Sequence, residues 1–468
     1  KLHKLDSKLI YNPEFLREKH ANMDFINSDM IIFGGDRNIS SQVSNAYLRH
    51  SRCKTKEHIF TDLKTASLIK YSINTFLASK VIFFNELHST DREIGSSFAV
   101  YKNGKPIIDI WGGYSDKDRQ NKWEKDTLAT VWSTTKGVAA ITLAYAYEKG
   151  LFDYEEKVSK YWPEFAQEGK EKIPVRYLFC HKSGLCGVTT PLPDDAYYNW
   201  DVMVNALAAQ KPQWEPGTRH GYHALTYGHL VGEMVRRVTG QTIGQYFNEK
   251  IAEPLNLDFW IGLPDDQFDK VTDIQPSLFP AWTKLLAPVF KIIPKSMLSG
   301  DLALIKDFDD PSTIAGSAFN NPKMEMKNPF YANSREWRKA EIPAANGHGS
   351  ARAIAKFYGV LANGGERDGV HLLNPETIDM ARQTESEGSD LVLANLQTRF
   401  GLGFMLGSKD VSMGPAEGAF GHGGAGGSLG FGDPDNHVSI GFVMNQMHPG
   451  ITAWETATTF IEKVYESK

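Results

Sequence analysis

The chain is organised around one stretch, Trp132-Ser133-Thr134-Thr135-Lys136, which continues as Gly137-Val138-Ala139-Ala140-Ile141-Thr142-Leu143-Ala144-Tyr145-Ala146-Tyr147. Beyond Ser133 most residues favour helix, and the apolar ones recur at helical spacing, so a helix is predicted to begin close to Ser133. Residues three apart share one face of a helix, which puts the Lys136 amine beside the Ser133 hydroxyl. A lysine whose pKa is lowered by burial can accept the proton that a serine loses when it acts as a nucleophile. Ser-x-x-Lys also occurs on ordinary helices, so the rest of the sequence has to decide between the two interpretations.

The size and composition of the chain indicate a globular protein with room for more than one domain. It has 468 residues, of which 41% are hydrophobic and 23% are charged, as is usual for globular proteins. The net charge of -5, without long basic or acidic runs, argues against nucleic acid and anionic membranes as partners. No stretch of about 18 apolar residues is present, so no membrane span is predicted.

The cysteines and the start of the sequence bear on redox state and compartment. The three cysteines are Cys53, Cys180 and Cys186, which are too few for a disulfide framework and lack metal-ligand spacing. We therefore predict reduced thiols and no metal site. No signal-peptide pattern is visible, which favours the cytoplasm as the compartment. The sequence leaves the oligomeric state open.

Residues 1–88 carry a pattern of their own. They contain Asn12-Pro13-Glu14-Phe15-Leu16 and a long helical pattern that includes Ala66-Ser67-Leu68-Ile69-Lys70-Tyr71-Ser72-Ile73-Asn74-Thr75-Phe76-Leu77-Ala78. These stretches resemble the middle of the UDP-glucose and GDP-mannose dehydrogenase family. The resemblance implies that Glu14, Lys70 and Asn74 match residues that act on the sugar nucleotide.

The same segment lacks what that family needs for catalysis. A glycine-rich strand–turn–helix for NAD is missing from residues 1–88, and Cys53 does not stand in the glycine-flanked loop of a catalytic cysteine. Without a site for the pyrophosphate, nothing would hold the hydride acceptor. We interpret residues 1–88 as a truncated, dehydrogenase-like helical fragment without activity, which arises either from a gene fusion or from a mis-joined gene. No cofactor is predicted for the chain.

From about Arg92 the pattern is that of a complete domain, which we assign to residues 93–468. Two strands are predicted to form a hairpin at Asn103-Gly104, a strong two-residue turn signal. Three further strand segments and a final amphipathic helix are predicted near the other end of the chain. The predicted segments are Ser97–Tyr101, Pro106–Trp111, Gly401–Leu406, Gly418–Phe431, His437–Asn445 and Thr452–Ser467. This order predicts an α/β (α+β) domain with one antiparallel sheet, flanked by helices and completed by both ends of the chain, and with a helical insertion at about 150–340.

Four landmarks of this domain occur in a fixed order. They are Ser133-Thr134-Thr135-Lys136, Cys180-His181-Lys182-Ser183-Gly184-Leu185, Tyr222-His223-Ala224 and His422-Gly423-Gly424-Ala425. Together they resemble the serine beta-lactamase and penicillin-binding-protein family, closest to the class C and family VIII carboxylesterase branch, which includes eukaryotic beta-lactamase-domain proteins. The resemblance covers about residues 93–468 and implies a beta-lactamase/transpeptidase-like fold.

The resemblance also implies roles for individual residues. Ser133 would be the nucleophile, and Lys136 and Tyr222 would share the proton transfers. The N–H groups of Ser133 and Ala425 would form the oxyanion hole, where one donor is worth about 3 kcal/mol in another hydrolase. Without the other landmarks, the position of Tyr222 on a loop after a Pro-Gly turn also fits a half-buried core tyrosine with no catalytic role.

Two departures from the family pattern concern the substrate. His422-Gly423-Gly424 stands where the family has Lys-Thr-Gly, and we predict that these residues line the substrate site beside Ser133. Ala224 stands where class C enzymes have the asparagine that holds the side-chain amide of a beta-lactam. Both departures favour esters over beta-lactams.

Two further patterns in the late glycine-rich stretch are interpreted as coincidental. Gly421–Gly426 fits a dinucleotide-binding pattern, and Gly426-Gly427-Ser428-Leu429-Gly430 fits a nucleophile elbow. Each pattern requires a helix directly after the turn. The residues that follow, Phe431-Gly432-Asp433-Pro434, cannot begin one.

The sequence supports three functional hypotheses to different degrees. The first is a serine hydrolase for small-molecule esters, with amide substrates such as D-amino-acid peptides or beta-lactams as the alternative. The second is a non-catalytic scaffold or assembly-forming protein that retains the site residues. The third, a sugar-nucleotide dehydrogenase, is excluded by the missing cofactor loop unless a partner chain supplies it.

Overall fold

The computed structural model divides the chain into two compact units, Lys1–Ser89 and Thr90–Lys468. The structure describes residues 10–13, 25–26, 30–55, 57–71, 93–276, 310–323, 330–448 and 455–466. Glu14 and Asn74, to which the dehydrogenase resemblance assigned roles, lie outside the described residues.

The first unit contains a small sheet as well as helices. Strands β1 (Ile10–Tyr11), β2 (Ile31–Gly35) and β3 (His58–Thr61) form a sheet in the order β1-β2-β3, and helix α1 (Arg37–His50) connects β2 to β3. Asp36 caps α1 because its carboxylate accepts the N–H groups of Asn38 and Ile39. Residues 63–71 are helical and include Lys70. The sequence predicted a helical fragment, whereas the described part of this unit is a mixed α/β arrangement with a parallel β2–β3 pair.

The second unit is built on an eight-stranded antiparallel sheet. Two of its strands come from the start of the unit and six from its end, and their order is β11-β12-β13-β14-β15-β16-β4-β5. The strands are β4 (Gly95–Lys102), β5 (Lys105–Gly113), β11 (Ser386–Ser389), β12 (Gln397–Phe400), β13 (Met405–Leu406), β14 (Phe420–Gly423), β15 (Leu429–Asp433) and β16 (Val438–Met444). Since β16 pairs directly with β4, both ends of the unit complete one sheet. This confirms the predicted fold class.

The hairpin signal is confirmed, and one of the late strand segments is corrected. Strands β4 and β5 are joined by Asn103 and Gly104, both with positive φ (49° and 69°), as a primed hairpin turn requires. The segment Gly418–Phe431 was predicted as one strand, but it forms β14 and β15. A turn separates these strands because the Gly424 N–H donates to the Ser428 carbonyl at 2.7 Å.

A second, three-stranded sheet lies in the same unit. It has the order β6-β8-β7, with antiparallel pairs between β6 (Ala129–Thr130), β7 (Phe259–Ile261) and β8 (Gly347–Gly349). A short two-stranded ribbon is formed by β9 (Glu366–Arg367) and β10 (Val370–His371). Strand β6 leads directly into the stretch that contains Ser133.

The helices in the described part of the second unit lie mostly between its first and last strands. They are α2 (Thr135–Glu148), α3 (Val158–Tyr161), α4 (Arg176–Phe179), α5 (Trp200–Ala209), α6 (Thr226–Thr239), α7 (Ile243–Phe247), α8 (Glu253–Leu255), α9 (Ile314–Phe319), α10 (Arg335–Lys339), α11 (Ala351–Leu361), α12 (Pro375–Ala381) and α13 (Glu455–Glu466). Helices α7 and α8 are joined by a π-helical turn at Asn248–Ala252.

Helix α2 is the central helix of this unit. Eleven of its residues are buried, and they lie on every side of the helix, which is the pattern of a helix enclosed by other elements rather than one facing solvent. It packs against α6 and α7, while α11 covers β15, β16 and β4. The N-terminus of α2 is thereby fixed close to the end of β14, with which the helix is also in contact.

Candidate active site

Ser133 lies in a tight turn directly before α2. Trp132 has a positive φ of 48°, an uncommon conformation for a bulky residue. The N–H groups of Thr134, Thr135 and Lys136 donate to the carbonyls of Val131, Trp132 and Ser133 at 3.2, 3.0 and 2.9 Å. Ser133 itself is partly exposed, whereas its neighbours in the turn are buried. The turn therefore presents the serine to solvent and fixes the backbone around it.

The Lys136 amine lies beside the Ser133 hydroxyl, as the spacing predicted. The side chain is fully buried, and Nζ is 3.1 Å from Ser133 Oγ, 2.7 Å from the Ala224 carbonyl oxygen and 2.9 Å from that of Ala344. Burial lowers the pKa of this amine well below its ordinary value, because an ammonium ion is poorly solvated there. The amine is thus shifted towards its neutral form while it contacts the serine.

Tyr222 closes the other side of the same site. Its ring is buried, with its centroid 4.7 Å from Lys136 Nζ. Burial raises the pKa of the Tyr222 hydroxyl, the Asp390 charge adds to this effect, and a side-chain hydrogen bond with Ser133 opposes it. The structure therefore brings Ser133, Lys136 and Tyr222 together, with the phenol in its neutral form at neutral pH.

His422 lies at the end of β14, near Tyr222, with the two ring centroids 6.0 Å apart. His422 is only 1% exposed, so it is enclosed in this structure, and that it lines the substrate site stays a prediction. The Nδ1–H group donates to the Gly423 carbonyl at 2.6 Å, which leaves a lone pair on Nε2. Burial, together with the nearby Lys136, lowers the pKa of His422 to about 3. At neutral pH this position therefore carries no positive charge.

Gly424 brings the turn after β14 against the turn that contains Ser133. A Cβ atom at this position would lie 2.3 Å from the Val131 carbonyl oxygen and 2.1 Å from Ser428 Oγ, so any larger residue would force the two turns apart. Ala425 follows directly and is partly exposed, in the 3-10 turn Ala425–Gly427. The short distance that Gly424 permits is what places the Ala425 turn beside the Ser133 turn.

Ser428, which fits the nucleophile-elbow pattern, is buried and fully engaged. Its hydroxyl donates to the Val131 carbonyl at 2.7 Å and lies 3.1 Å from Thr134 Oγ1. These contacts join the Ser428 turn to the residues on either side of Ser133 in sequence. The residue that follows, Leu429, begins a strand rather than a helix, so the elbow geometry is not formed.

The landmark around Cys180 lies behind Tyr222. His181 Nδ1 accepts the N–H of His223 at 3.1 Å, and its ring centroid is 5.1 Å from that of Tyr222. His223 Nε2 is 2.7 Å from Ser183 Oγ. Burial lowers the pKa of both histidines, so this landmark is a neutral, hydrogen-bonded support for the tyrosine.

Asp390 is a residue of this region that the sequence did not indicate. It lies in the loop between β11 and β12, is fully buried, and accepts the Tyr222 N–H at 3.0 Å. An aspartate in a loop is ordinarily solvent-exposed, and 168 residues separate Asp390 from Tyr222. No local signal could therefore have connected the two.

The described part of the chain offers neither a metal site nor a membrane span. Among these residues no group of three or more His, Cys, Asp or Glu side chains could hold a metal ion. No helix in the described ranges is long and apolar enough to cross a bilayer. Cys180 and Cys186 are buried free thiols whose pKa values burial raises, which makes packing their role.

One similarity concerns the dehydrogenase-like pattern. A UDP-glucose 6-dehydrogenase from Rickettsia bellii is 38% identical over 93 residues, which are 20% of this chain and 21% of that protein. The chain spans about a fifth of this relative's length, so the similarity is limited to a short segment and transfers no activity.

The other similarities cover most of the chain. The family model described as Beta-lactamase matches residues 83–458. Esterase/beta-lactamase LipL from Mycobacterium tuberculosis is 33% identical over 355 residues, which are 75% of this chain and 77% of that protein. A crystal structure of a family VIII carboxylesterase is 35% identical and has a TM-score of 0.72, covering 84% of this chain and 97% of its own. A penicillin-binding protein homologue from Caulobacter crescentus is 36% identical, with the same TM-score of 0.72 and the same coverage of 84% and 97%. The chain therefore belongs to the beta-lactamase family, in which its relatives include family VIII carboxylesterases and penicillin-binding protein homologues.

Proposed function

We propose that this chain is a serine hydrolase that forms an acyl-enzyme on Ser133 and acts on small carboxylic esters. The observation that carries the proposal is the position of Lys136 Nζ, 3.1 Å from Ser133 Oγ and within hydrogen-bond distance of two main-chain carbonyls. A neutral amine has two N–H groups and one lone pair. Donating the two N–H groups to the Ala224 and Ala344 carbonyls leaves the lone pair directed at the serine.

The first step follows from this arrangement. Ser133 Oγ attacks the ester carbonyl carbon while its proton moves to Lys136 Nζ, so the new C–O bond forms as the amine becomes an ammonium. The ammonium keeps its hydrogen bonds to both carbonyls. Burial lowers the pKa of the amine, which favours return of that proton in the next step.

Tyr222 serves as the proton donor to the leaving group. Its hydroxyl remains protonated at neutral pH because burial raises its pKa. When the C–O bond to the alcohol breaks, the phenol gives its proton to the leaving oxygen and takes one from the Lys136 ammonium. Water then attacks the acyl carbonyl carbon while Lys136 accepts a proton from that water. When the bond from the acyl carbon to Ser133 Oγ breaks, the Lys136 ammonium returns this proton to Oγ, so the carboxylic acid leaves and both Ser133 and neutral Lys136 are restored.

The negative charge on the carbonyl oxygen requires two fixed donors. We assign these to the N–H groups of Ser133 and Ala425, which lie in the two turns that Gly424 brings together. Each such donor is worth about 3 kcal/mol in the transition state. Because main-chain donors cannot rotate freely, their positions are set by the turns that carry them.

The preference for esters rests on what His422 and Ala224 lack. A beta-lactam or a D-amino-acid peptide carries a carboxylate, which a permanent positive charge would bind best. His422 is neutral and enclosed, and Ala224 has no side-chain donor. An ester needs only the nucleophile and the oxyanion hole. The name of LipL includes both activities, so lactam hydrolysis is the alternative, ahead of a non-catalytic scaffold.

A fluorophosphonate probe with mass-spectrometric site mapping tests the nucleophile. We expect labelling on Ser133 and its loss, together with ester hydrolysis, in Ser133→Ala. On the same wild-type preparation, kcat/KM for p-nitrophenyl butyrate is compared with that for a chromogenic cephalosporin. Full labelling of Ser133→Ala would refute the mechanism, and a higher kcat/KM for the cephalosporin would refute the ester preference alone.

A further inference from the structure

We propose that Asp390 is a positioning residue that sets the place of Tyr222 beside Ser133 by binding its main-chain N–H. The inference rests on the proposed function, because it gives Tyr222 a part in proton transfer. It adds a residue from a different segment of the chain, the loop between β11 and β12.

One oxygen of Asp390 joins two segments of the chain. Oδ1 accepts the N–H groups of Val392 and Leu393 at 2.8 and 3.0 Å, within its own loop, and the N–H of Tyr222 at 3.0 Å. The first two bonds form an Asx-type turn that shapes the loop. The third extends from this loop to the segment that carries the catalytic tyrosine.

The connection is buried, and it adds to other anchors of this segment. The N–H of Gly221 donates to the His181 carbonyl at 3.2 Å, and the N–H of His223 donates to His181 Nδ1 at 3.1 Å. Asp390 is fully buried, so water cannot replace the carboxylate as the acceptor. A parallel main-chain bond runs from the Leu391 N–H to the His220 carbonyl at 3.3 Å, which fixes the segment two residues before Tyr222. The Tyr222 N–H itself depends on Asp390.

The tyrosine ring is held by the same hairpin. Phe400, on β12, stacks on the Tyr222 ring with an interplanar angle of 14° and a centroid distance of 6.1 Å. The β11–β12 hairpin therefore contacts both the main chain of Tyr222, through Asp390, and its ring, through Phe400. A shift of the Tyr222 main chain changes the distance from its hydroxyl to Ser133, and a misplacement of about 1 Å can lower a catalytic rate roughly 100-fold.

The second oxygen of Asp390 indicates which replacement should be tolerated. Oδ2 lies 3.4 Å from Thr398 Oγ1, which is itself 2.9 Å from His220 Nε2. In Asp390→Asn the amide oxygen can keep all three N–H bonds, while the amide nitrogen donates to Thr398 Oγ1. Asn is therefore the conservative variant that retains the geometry.

Asp390→Ser is the selective variant. A serine hydroxyl can form the local turn to residues two and three positions ahead, so the bonds to Val392 and Leu393 have a substitute. The shorter side chain cannot reach the Tyr222 N–H. This variant removes the long-range bond and keeps the loop.

The test compares kcat and KM for ethyl butyrate, whose alkoxide leaving group needs the proton that Tyr222 supplies, with acid release followed by titration and active sites counted by probe labelling. We expect Asp390→Ser to lower kcat per labelled site by roughly 10- to 100-fold, with KM within about threefold, and Asp390→Asn to stay within about fivefold of wild type. A role limited to stability would lower the number of active sites and leave kcat per site unchanged. That outcome for Asp390→Ser would overturn the inference.

A double-mutant cycle with Tyr222→Phe separates this inference from the proposed function. If Asp390 acts through the Tyr222 hydroxyl, Asp390→Ser should add little to the loss in Tyr222→Phe. If the two losses are additive, the inference is wrong although Tyr222 remains catalytic. If Tyr222→Phe keeps wild-type kcat, the proposed role of Tyr222 fails first, and the inference fails with it. If Asp390→Ser is insoluble, the kcat of Asp390→Asn tests the inference instead. This variant keeps the hydrogen bond to the Tyr222 N–H, so a large loss of kcat in Asp390→Asn would contradict the inference.

Discussion

Replacing Lys136 with Met tests whether the buried amine is neutral. Lys136→Met keeps the length of the side chain and removes the nitrogen that contacts Ser133, Ala224 and Ala344. Activity should fall by roughly 100- to 10,000-fold, the usual contribution of a positioned general base. The substitution also leaves the buried Ala224 and Ala344 carbonyls without a hydrogen-bond donor, which lowers the free energy of unfolding by about 1–3 kcal/mol for each carbonyl. This loss of stability does not depend on pH, whereas the contribution of the titrating lysine to the stability of the wild type does.

The sign of the pH effect follows from the direction of the pKa shift. A lysine in the unfolded chain titrates at about 10.4, and burial places the pKa of folded Lys136 well below that. Between these two values the unfolded state binds one proton more than the folded state. The stability of the wild type therefore rises with pH in this window and is lost as the pH falls towards the folded-state pKa. The folding equilibrium constant changes about tenfold per pH unit.

Urea unfolding of both proteins at pH 7, 8 and 9 provides the measurement. Met does not titrate, so the difference between wild type and Lys136→Met isolates the lysine. For each unit that the pH is lowered, we expect the folding equilibrium constant of the variant to rise by up to about tenfold relative to that of the wild type. Lys117→Met, at an exposed lysine, controls for the loss of one positive charge. A difference that stays flat from pH 7 to 9 would show that the folded protein keeps an ammonium at Lys136, and the neutral-base mechanism would be refuted.

Two further predictions concern the oxyanion turns and the first unit. Ser428→Ala should leave probe labelling of Ser133 intact, because Ser428 is not the nucleophile, while the loss of a buried hydrogen bond should lower the free energy of unfolding by about 1 kcal/mol; a loss of labelling as complete as in Ser133→Ala, measured by mass spectrometry, would contradict this. A chain that starts at Arg92 should keep the kcat/KM of the full-length protein for p-nitrophenyl butyrate, since the main sheet begins at Gly95; an inactive or insoluble product would show that residues 1–88 contribute to the active unit.

The parts of the fold and site that the sequence predicted are those in which a local pattern determines the geometry. Ser133 and Lys136 are three residues apart, so helical periodicity alone placed their side chains together. Asn103-Gly104 fixes a two-residue turn because both residues accept positive φ. The hairpin of β4 and β5 and the contact between Lys136 and Ser133 followed directly.

The parts that could not be predicted depend on contacts far apart in sequence. Asp390 binds Tyr222 across 168 residues, and Ser428 binds Val131 across 297. Neither pairing leaves a pattern in the sequence. The division of Gly418–Phe431 into two strands was missed for another reason: His422-Gly423-Gly424 was interpreted as the lining of a substrate site on a single strand, although glycines also favour a turn. The burial of His422 depends on tertiary packing and has no local signal.

The burial of the Lys136 amine also favours the enzyme hypothesis over the scaffold hypothesis. Enclosing an amine in a low-dielectric site destabilises a fold unless the amine is compensated. Here burial is the cause of the pKa shift, and the compensation consists of two main-chain carbonyls. A scaffold would be served better by an apolar side chain of the same length, which fills the space without desolvating a charge. The third contact of the amine, at 3.1 Å to a partly exposed serine, is of no use to packing, but it is what a base must have. The energetic burden at Lys136 is therefore most simply explained by acyl transfer at Ser133.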